Sequence, residues 1–178
     1  VMLFSLAVGA EIILTDANVD SYVGKSIIDT NAVVDISATR MGVKPYEWFP
    51  KWNQKGECVQ YVCARHWEKL KMTYAVTTGN GKDCAKNHAK ANGKIMTSIQ
   101  TGVTYTVQTY FNDGGINIKE NSWVSFESST SKLGHVVFVE YVKTDGNGVK
   151  QIYYTENVNP GVLKKASLEK FVGGNLSS

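Results

Sequence analysis

The spacing of apolar residues changes partway along this chain, and that change limits the fold more than any other feature of the sequence. Val59, Val62, Cys63, His66, Trp67 and Leu70 recur at three- and four-residue intervals, which describes one face of an α-helix. The spacing predicts a helix over 57–71. A second short helix is expected in KDCAKNHAKANG, capped by Asp83 and ended by Gly93, lying on the surface because its residues are mostly alanine and polar. From residue 101 onward the helical period is lost. TGVTYTVQTYF, NSWVSFES, GHVVFVEYV and VKQIYYTEN are rich in β-branched and aromatic residues and are separated by Gly, Asn, Asp and Ser. Helices followed by turn-linked strands predict an α+β domain, with N-terminal helices packed on an antiparallel β-sheet rather than a doubly wound parallel one.

A chain of 178 residues, 43% of them hydrophobic, can bury one real core. No repeat, proline-rich linker or low-complexity stretch divides it. Residues 1–49 are expected to form a lead-in packed on a main unit of residues 50–178, in a single globular body, with a monomer the favoured state. Within the lead-in, 29–42 reads as a short helix or turn-rich segment, and Pro45 and Pro50 break regular structure before the next element. The net charge of +3 comes from 19 basic and 16 acidic residues spread without a long basic run, so the composition gives no case for nucleic acid. The opening VMLFSLAVGAEIIL resembles a signal-peptide core in length but lacks a basic start, and Glu11 interrupts it short of the roughly 20 apolar residues of a membrane span. It is read as an ordered first element, with no stable membrane insertion. DANVDS at 16–21 has oxygen ligands at alternate positions, but Ser21 and Ile27 replace the turn glycine and closing glutamate of a calcium loop, so it is read as a loop.

Chemistry enters with three cysteines, Cys58, Cys63 and Cys84, at least one of which must be unpaired within the chain. Cys58 falls at the start of the predicted helix, after Gly56 and Glu57, where free backbone N–H groups and the helix dipole favour a thiolate and can bind an oxyanion. Cys63 falls mid-helix, as a buried structural cysteine would. A nucleophilic thiol needs a base, and the chain has His66, His88 and His135. His66 lies two turns along the same helix, roughly 12 Å from Cys58, and reads as packing. His88 falls in the polar helix and reads as solvated. His135 opens a strand after Gly134 and is the base by elimination.

The hairpin after His135 supplies an independent check. A two-residue turn centred on Asp145-Gly146 would set Glu156 directly opposite His135, on one face of the sheet, where a carboxylate can hold the imidazole. A turn at Asn147-Gly148 shifts the register but keeps Glu156 on that face, whereas a loop of odd length would bring Asn157 there instead.

GECVQYV, GNGKDCAKNHA, NSWVSFESSTSKLGHVVFVEYV and YYTENVN, taken in order over roughly residues 50–160, resemble the motifs of the CHAP domains, cysteine- and histidine-dependent amidohydrolases and peptidases of the papain-like superfamily. The resemblance implies a papain-like fold and hydrolysis of peptidoglycan amides. The bond is either that between glycan and stem peptide, as in an N-acetylmuramoyl-L-alanine amidase, or one within the peptide, as in an endopeptidase. It implies Cys58 as nucleophile, His135 as base and Glu156 as orienter, with no metal or other cofactor, and places the action at the bacterial wall by a secreted, phage-borne or toxin-like chain. The chain departs from the family at two places. Glu57 stands where the family has Gln beside the oxyanion, so the backbone of Cys58 carries more of that role. Val158 stands where an Asn follows the family's Glu, so Asn157 and Asn159 both remain candidates for a fourth member. Trp48, Trp52, Trp123 and Tyr154 are candidates for a substrate groove. Two rivals stand beside this reading: a wall-binding or virion-structural module that keeps the fold without activity, and a cysteine peptidase acting on proteins.

Overall fold

The computed structural model describes residues 12–30, 57–72, 79–127 and 131–173. Trp48, Trp52, the opening apolar segment up to residue 11 and most of the predicted 29–42 element lie outside them. Among the described residues the order is α1 (Val19–Tyr22), α2 (Cys58–Leu70), a 3₁₀ turn (Gly81–Asp83), α3 (Cys84–Ala89), β1 (Ile95–Thr97), β2 (Thr104–Thr106), β3 (Trp123–Phe126), β4 (His135–Thr144), β5 (Lys150–Thr155), β6 (Lys164–Ser167) and α4 (Leu168–Val172). The class is α+β. Strands β3 to β6 form an antiparallel meander in chain order, and β1 and β2 pair as a separate hairpin.

Alternation along β4 divides the core. Val136 and Phe138 pack with Val59, Val62, Cys63 and Trp67 of α2, while Val137 and Val139 pack on the opposite face with Ile152, Tyr154 and Phe171. The periodicity located α2 to within a residue at each end, but its burial is wider than one stripe, since Gln60, Tyr61 and Arg65 are buried as well. Three expectations fail. Of TGVTYTVQTYF only Thr104–Thr106 is strand, and it is exposed and outside the main sheet, because it pairs with the short β1 alone. Helix α3 ends at Ala89, before Gly93. The 16–21 loop runs into α1, whose Asp20 binds Lys143 at 2.9 Å, Lys165 at 2.7 Å and the Tyr153 hydroxyl at 2.7 Å, tying this segment to the sheet.

The β4–β5 turn also differs from expectation, in a way that bears on the site. Asp145 pairs with Val149 across a loop of three residues, Gly146, Asn147 and Gly148, with Gly148 at φ +77°. A type I turn closed by a left-handed residue is the usual three-residue hairpin. The Asp145 carboxylate selects it by accepting from the N–H groups of Asn147 and Val149 at 2.9 and 3.0 Å. An odd loop alone would turn Glu156 away from His135. The register shifts again at Glu140, where Val139 faces Tyr154 but Tyr141 faces Tyr153, a β-bulge with Glu140 as the extra residue. The two odd steps cancel. Continuing the Phe138–Thr155 register past β5 sets Val137 opposite Glu156, with His135 one diagonal step away on the same face.

The bulged residue is held from the helix side. Nε and Nη2 of Arg65 donate to the two Glu140 oxygens at 2.7 and 2.9 Å, the Thr155 hydroxyl donates to Oε1 at 2.6 Å, and both charged residues are buried. Arg65 also pairs with Glu68, one turn along the helix and closer to solvent. Removing one member of a buried pair leaves an uncompensated charge and costs about 3–5 kcal/mol, against about 1 kcal/mol or less for an exposed partner. Glu140→Ala is therefore expected to lower the urea-unfolding free energy by several-fold more than Glu68→Ala, and equal losses would show that the buried pair does not organise this region.

Candidate active site

Cys58 is the first residue of α2 and is half-buried. The first intrahelical bond runs from Tyr61 N–H to Glu57 C=O, so helix geometry leaves the N–H groups of the opening turn without partners inside the helix. Glu57 is the N-cap residue and is exposed, and its own N–H donates to the Gln60 side chain at 2.8 Å. The opening turn is thus held by a reciprocal capping box, in which the Gln60 N–H in turn donates to the Glu57 side chain. Cys63 and Cys84 are buried. Burial, reinforced by the Cys58 and Asp83 charges, pushes the Cys84 thiol up to about 12, which makes it inert at neutral pH.

His135 starts β4 against a closely fitted neighbour. A Cβ on Gly81 would fall 2.8 Å from the His135 backbone, and one on Gly134, at φ +65°, would fall 2.5 Å from the Phe126 carbonyl oxygen. Both glycines let the 3₁₀ turn and β3 close on the strand end. From there Nε2 of His135 lies 2.5 Å from Oε2 of Glu156, and Cys58 is near enough to raise the ring's pKa, with Nδ1 the nitrogen that Glu156 leaves open. The other Glu156 oxygen, Oε1, accepts from Lys164 Nζ at 2.5 Å.

Charge follows this geometry. Burial opposes the imidazolium, but the hydrogen bonds to Cys58 and Glu156 and their charges outweigh it, and the His135 pKa is pushed up to about 9. Burial likewise opposes the Glu156 carboxylate, yet the bonds from His135 and Lys164 hold it below the ordinary carboxylate range.

The other candidates fall elsewhere. Tyr154 is in the core, edge-on to Phe171 at 5.2 Å between ring centroids, and does not line a groove. Trp123 is half-buried at the rim of the helix–sheet core, edge-on to His66 at 5.4 Å and His88 at 5.0 Å. His88 is therefore not solvated: it is half-buried, its Nδ1 lies 2.9 Å from the Cys84 carbonyl, and burial lowers its pKa. Asn157 is half-buried, and Asn159 is exposed with φ at 57°. Sequence reasoning missed Lys164, because it follows Pro160 and Gly161, where no strand was expected.

A family model described as CHAP domain matches residues 48–157. The chain belongs to the CHAP family. No curated protein and no solved structure matches it. Membership in the CHAP family indicates a hydrolase of the amidase and peptidase kind, with peptidoglycan as substrate and the cell wall as its place of action. Among the described residues, no helix of this CHAP protein is long and apolar enough to cross a membrane.

The pairing of His135 with Glu156 has a titration signature. The ring resonances of His135 should titrate near pH 9 rather than near 6.5, and Glu156→Gln should bring the midpoint down. Because the folded-state pKa is raised, the stability this group contributes is full below about pH 6.5 and is lost as pH rises through about 9. A His135 midpoint that stays put in Glu156→Gln would mean the carboxylate does not hold the ring.

Proposed function

We propose that this CHAP protein hydrolyses peptidoglycan amide bonds through Cys58 as nucleophile, His135 as general base and acid, and Glu156 as the group that orients His135. The observation that carries this reading is the His135–Glu156 pair, with Cys58 at the N-terminus of α2 close enough to shift the imidazole's pKa. A helix that carries a cysteine on its first residue and packs on β4 supports a papain-like layout.

In the first half-reaction the Cys58 sulfur, its proton already passed to His135, attacks the amide carbonyl carbon. The carbonyl oxygen becomes an oxyanion beside the N–H groups that open α2. Collapse of this intermediate breaks the C–N bond. His135 gives its proton to the leaving amine, and the acyl group stays on Cys58 as a thioester. Water then attacks the thioester, His135 takes its proton, and the carboxylic acid leaves as the thiol is regenerated. Through both halves Glu156 keeps Nε2 engaged, so Nδ1 stays aimed at the reacting atoms and the imidazolium is balanced by a nearby negative charge. The Glu57 side chain, which accepts from the Gln60 N–H, offers the oxyanion no donor.

Incubation with purified peptidoglycan is expected to release new amino groups, and mass spectrometry of the fragments identifies the bond as amidase or endopeptidase type. Cys58→Ala should abolish release, Glu156→Gln should cut turnover by orders of magnitude, and Cys63→Ala and Cys84→Ala should keep most of it. Wall digestion at a normal rate by Cys58→Ala would refute the mechanism. Cleavage of protein substrates alone would move the assignment to a protein peptidase, and activity on neither would move it to a binding or structural role.

A further inference from the structure

We propose that Lys164 is a positioning residue of this site: its ammonium group fixes one oxygen of Glu156 so that the other is presented to His135. The inference rests on the roles proposed above for Cys58, His135 and Glu156, and it adds a residue that lies beyond the 48–157 span of the CHAP match.

Lys164 opens β6 opposite Tyr154, which puts it one diagonal step from Glu156 on the same face of the sheet. Its Nζ lies 2.5 Å from Oε1, while His135 Nε2 lies 2.5 Å from Oε2, so each carboxylate oxygen has its own nitrogen. With its two ends held from β4 and β6, the carboxylate cannot rotate about its last bond without breaking both contacts. The Lys164 and Glu156 side chains are 17% and 10% exposed, so this is not the solvent-screened surface pair that contributes little.

The titratable groups around Glu156 come from the neighbouring strands, His135 from β4, Lys164 from β6 and Tyr154 from β5, which ends just before it, with Cys58 of α2 beside His135. Burial pushes Glu156 toward its neutral form, and a neutral carboxyl would present a proton where His135 needs an acceptor. His135 alone is an uneven counterion, since in the proposed cycle it is protonated in some steps and neutral in others. Lys164 takes no part in that proton cycle. The lysine therefore holds the carboxylate ionised during the steps in which His135 has given its proton away.

The test combines the carboxyl resonance of Glu156, followed by carbon NMR against pH, with pH–rate profiles on purified peptidoglycan, for the native chain, Lys164→Met, Lys164→Arg, and Lys164→Met in a Glu156→Gln background. Thermal unfolding checks that each variant folds. In Lys164→Met the Glu156 midpoint should rise, the loss of activity on the acid side should begin at higher pH, and kcat should fall by about tenfold or more with KM little changed. Lys164→Arg should recover most of the rate and the low Glu156 midpoint. With Glu156→Gln already present, Lys164→Met should have little further effect.

An unchanged Glu156 midpoint in Lys164→Met overturns the proposal. So does a rate loss that is uniform across pH and persists in full in the Glu156→Gln background, which would make Lys164 a structural residue only. If the native chain releases nothing from peptidoglycan while the Glu156 midpoint moves as expected, the positioning of the carboxylate stands and the hydrolase reading falls.

Discussion

The arrangement depends on a buried ion pair, Arg65 of α2 with Glu140 of β4, which locks the helix carrying the thiol to the strand carrying the imidazole. Neither charge has solvent to fall back on, so their geometry is fixed by each other and by the Thr155 hydroxyl. Thr155 immediately precedes Glu156, and Tyr61, one turn before Arg65, receives the Gly161 N–H on its hydroxyl. One polar network therefore spans α2, β4, β5 and the chain leading to β6. Each of these segments carries, or leads directly to, a member of the site. Buried polar networks of this kind contribute little net stability compared with apolar packing, but they tolerate few alternative arrangements.

Within that frame the site is an alternation of charge and hydrogen bonding: ammonium, carboxylate, imidazole, thiol. Burial alone would neutralise the carboxylate and deprotonate the imidazole, and each is held in its charged form by its neighbours. The two remaining cysteines are buried. Cys63 is packed in the helix–sheet core, and Cys84 is both buried and near negative charge, which pushes its thiol pKa up.

Much of this was legible in the sequence where local rules and tertiary packing agree. Helix α2 and the β3–β4–β5 meander follow from periodicity and turn residues. What was not legible depended on long-range partners. Arg65 lies outside the apolar stripe of α2, and its burial depends on Glu140, far along the chain. Trp123 buries His88 in a helix whose composition is that of a surface element. KKAS carries no strand signal of its own and becomes β6 only because β5 offers it an edge. The Asp-Gly turn was misread for a more local reason, since the Asp145 side chain competes with the two-residue turn by bonding the loop's own N–H groups.

The three-residue loop and the bulge at Glu140 stand to each other as a frameshift and its suppressor. Either alone would turn the far end of β5 inside out, presenting Asn157 in place of Glu156 and moving the strand's apolar residues to the wrong face. Together they restore the reading frame of the sheet only beyond the bulge, which is the stretch that holds His135 and Glu156. Related chains are therefore free to vary the loop by two residues at a time with the bulge intact. They can change it by one only if the bulge is gained or lost in the same lineage.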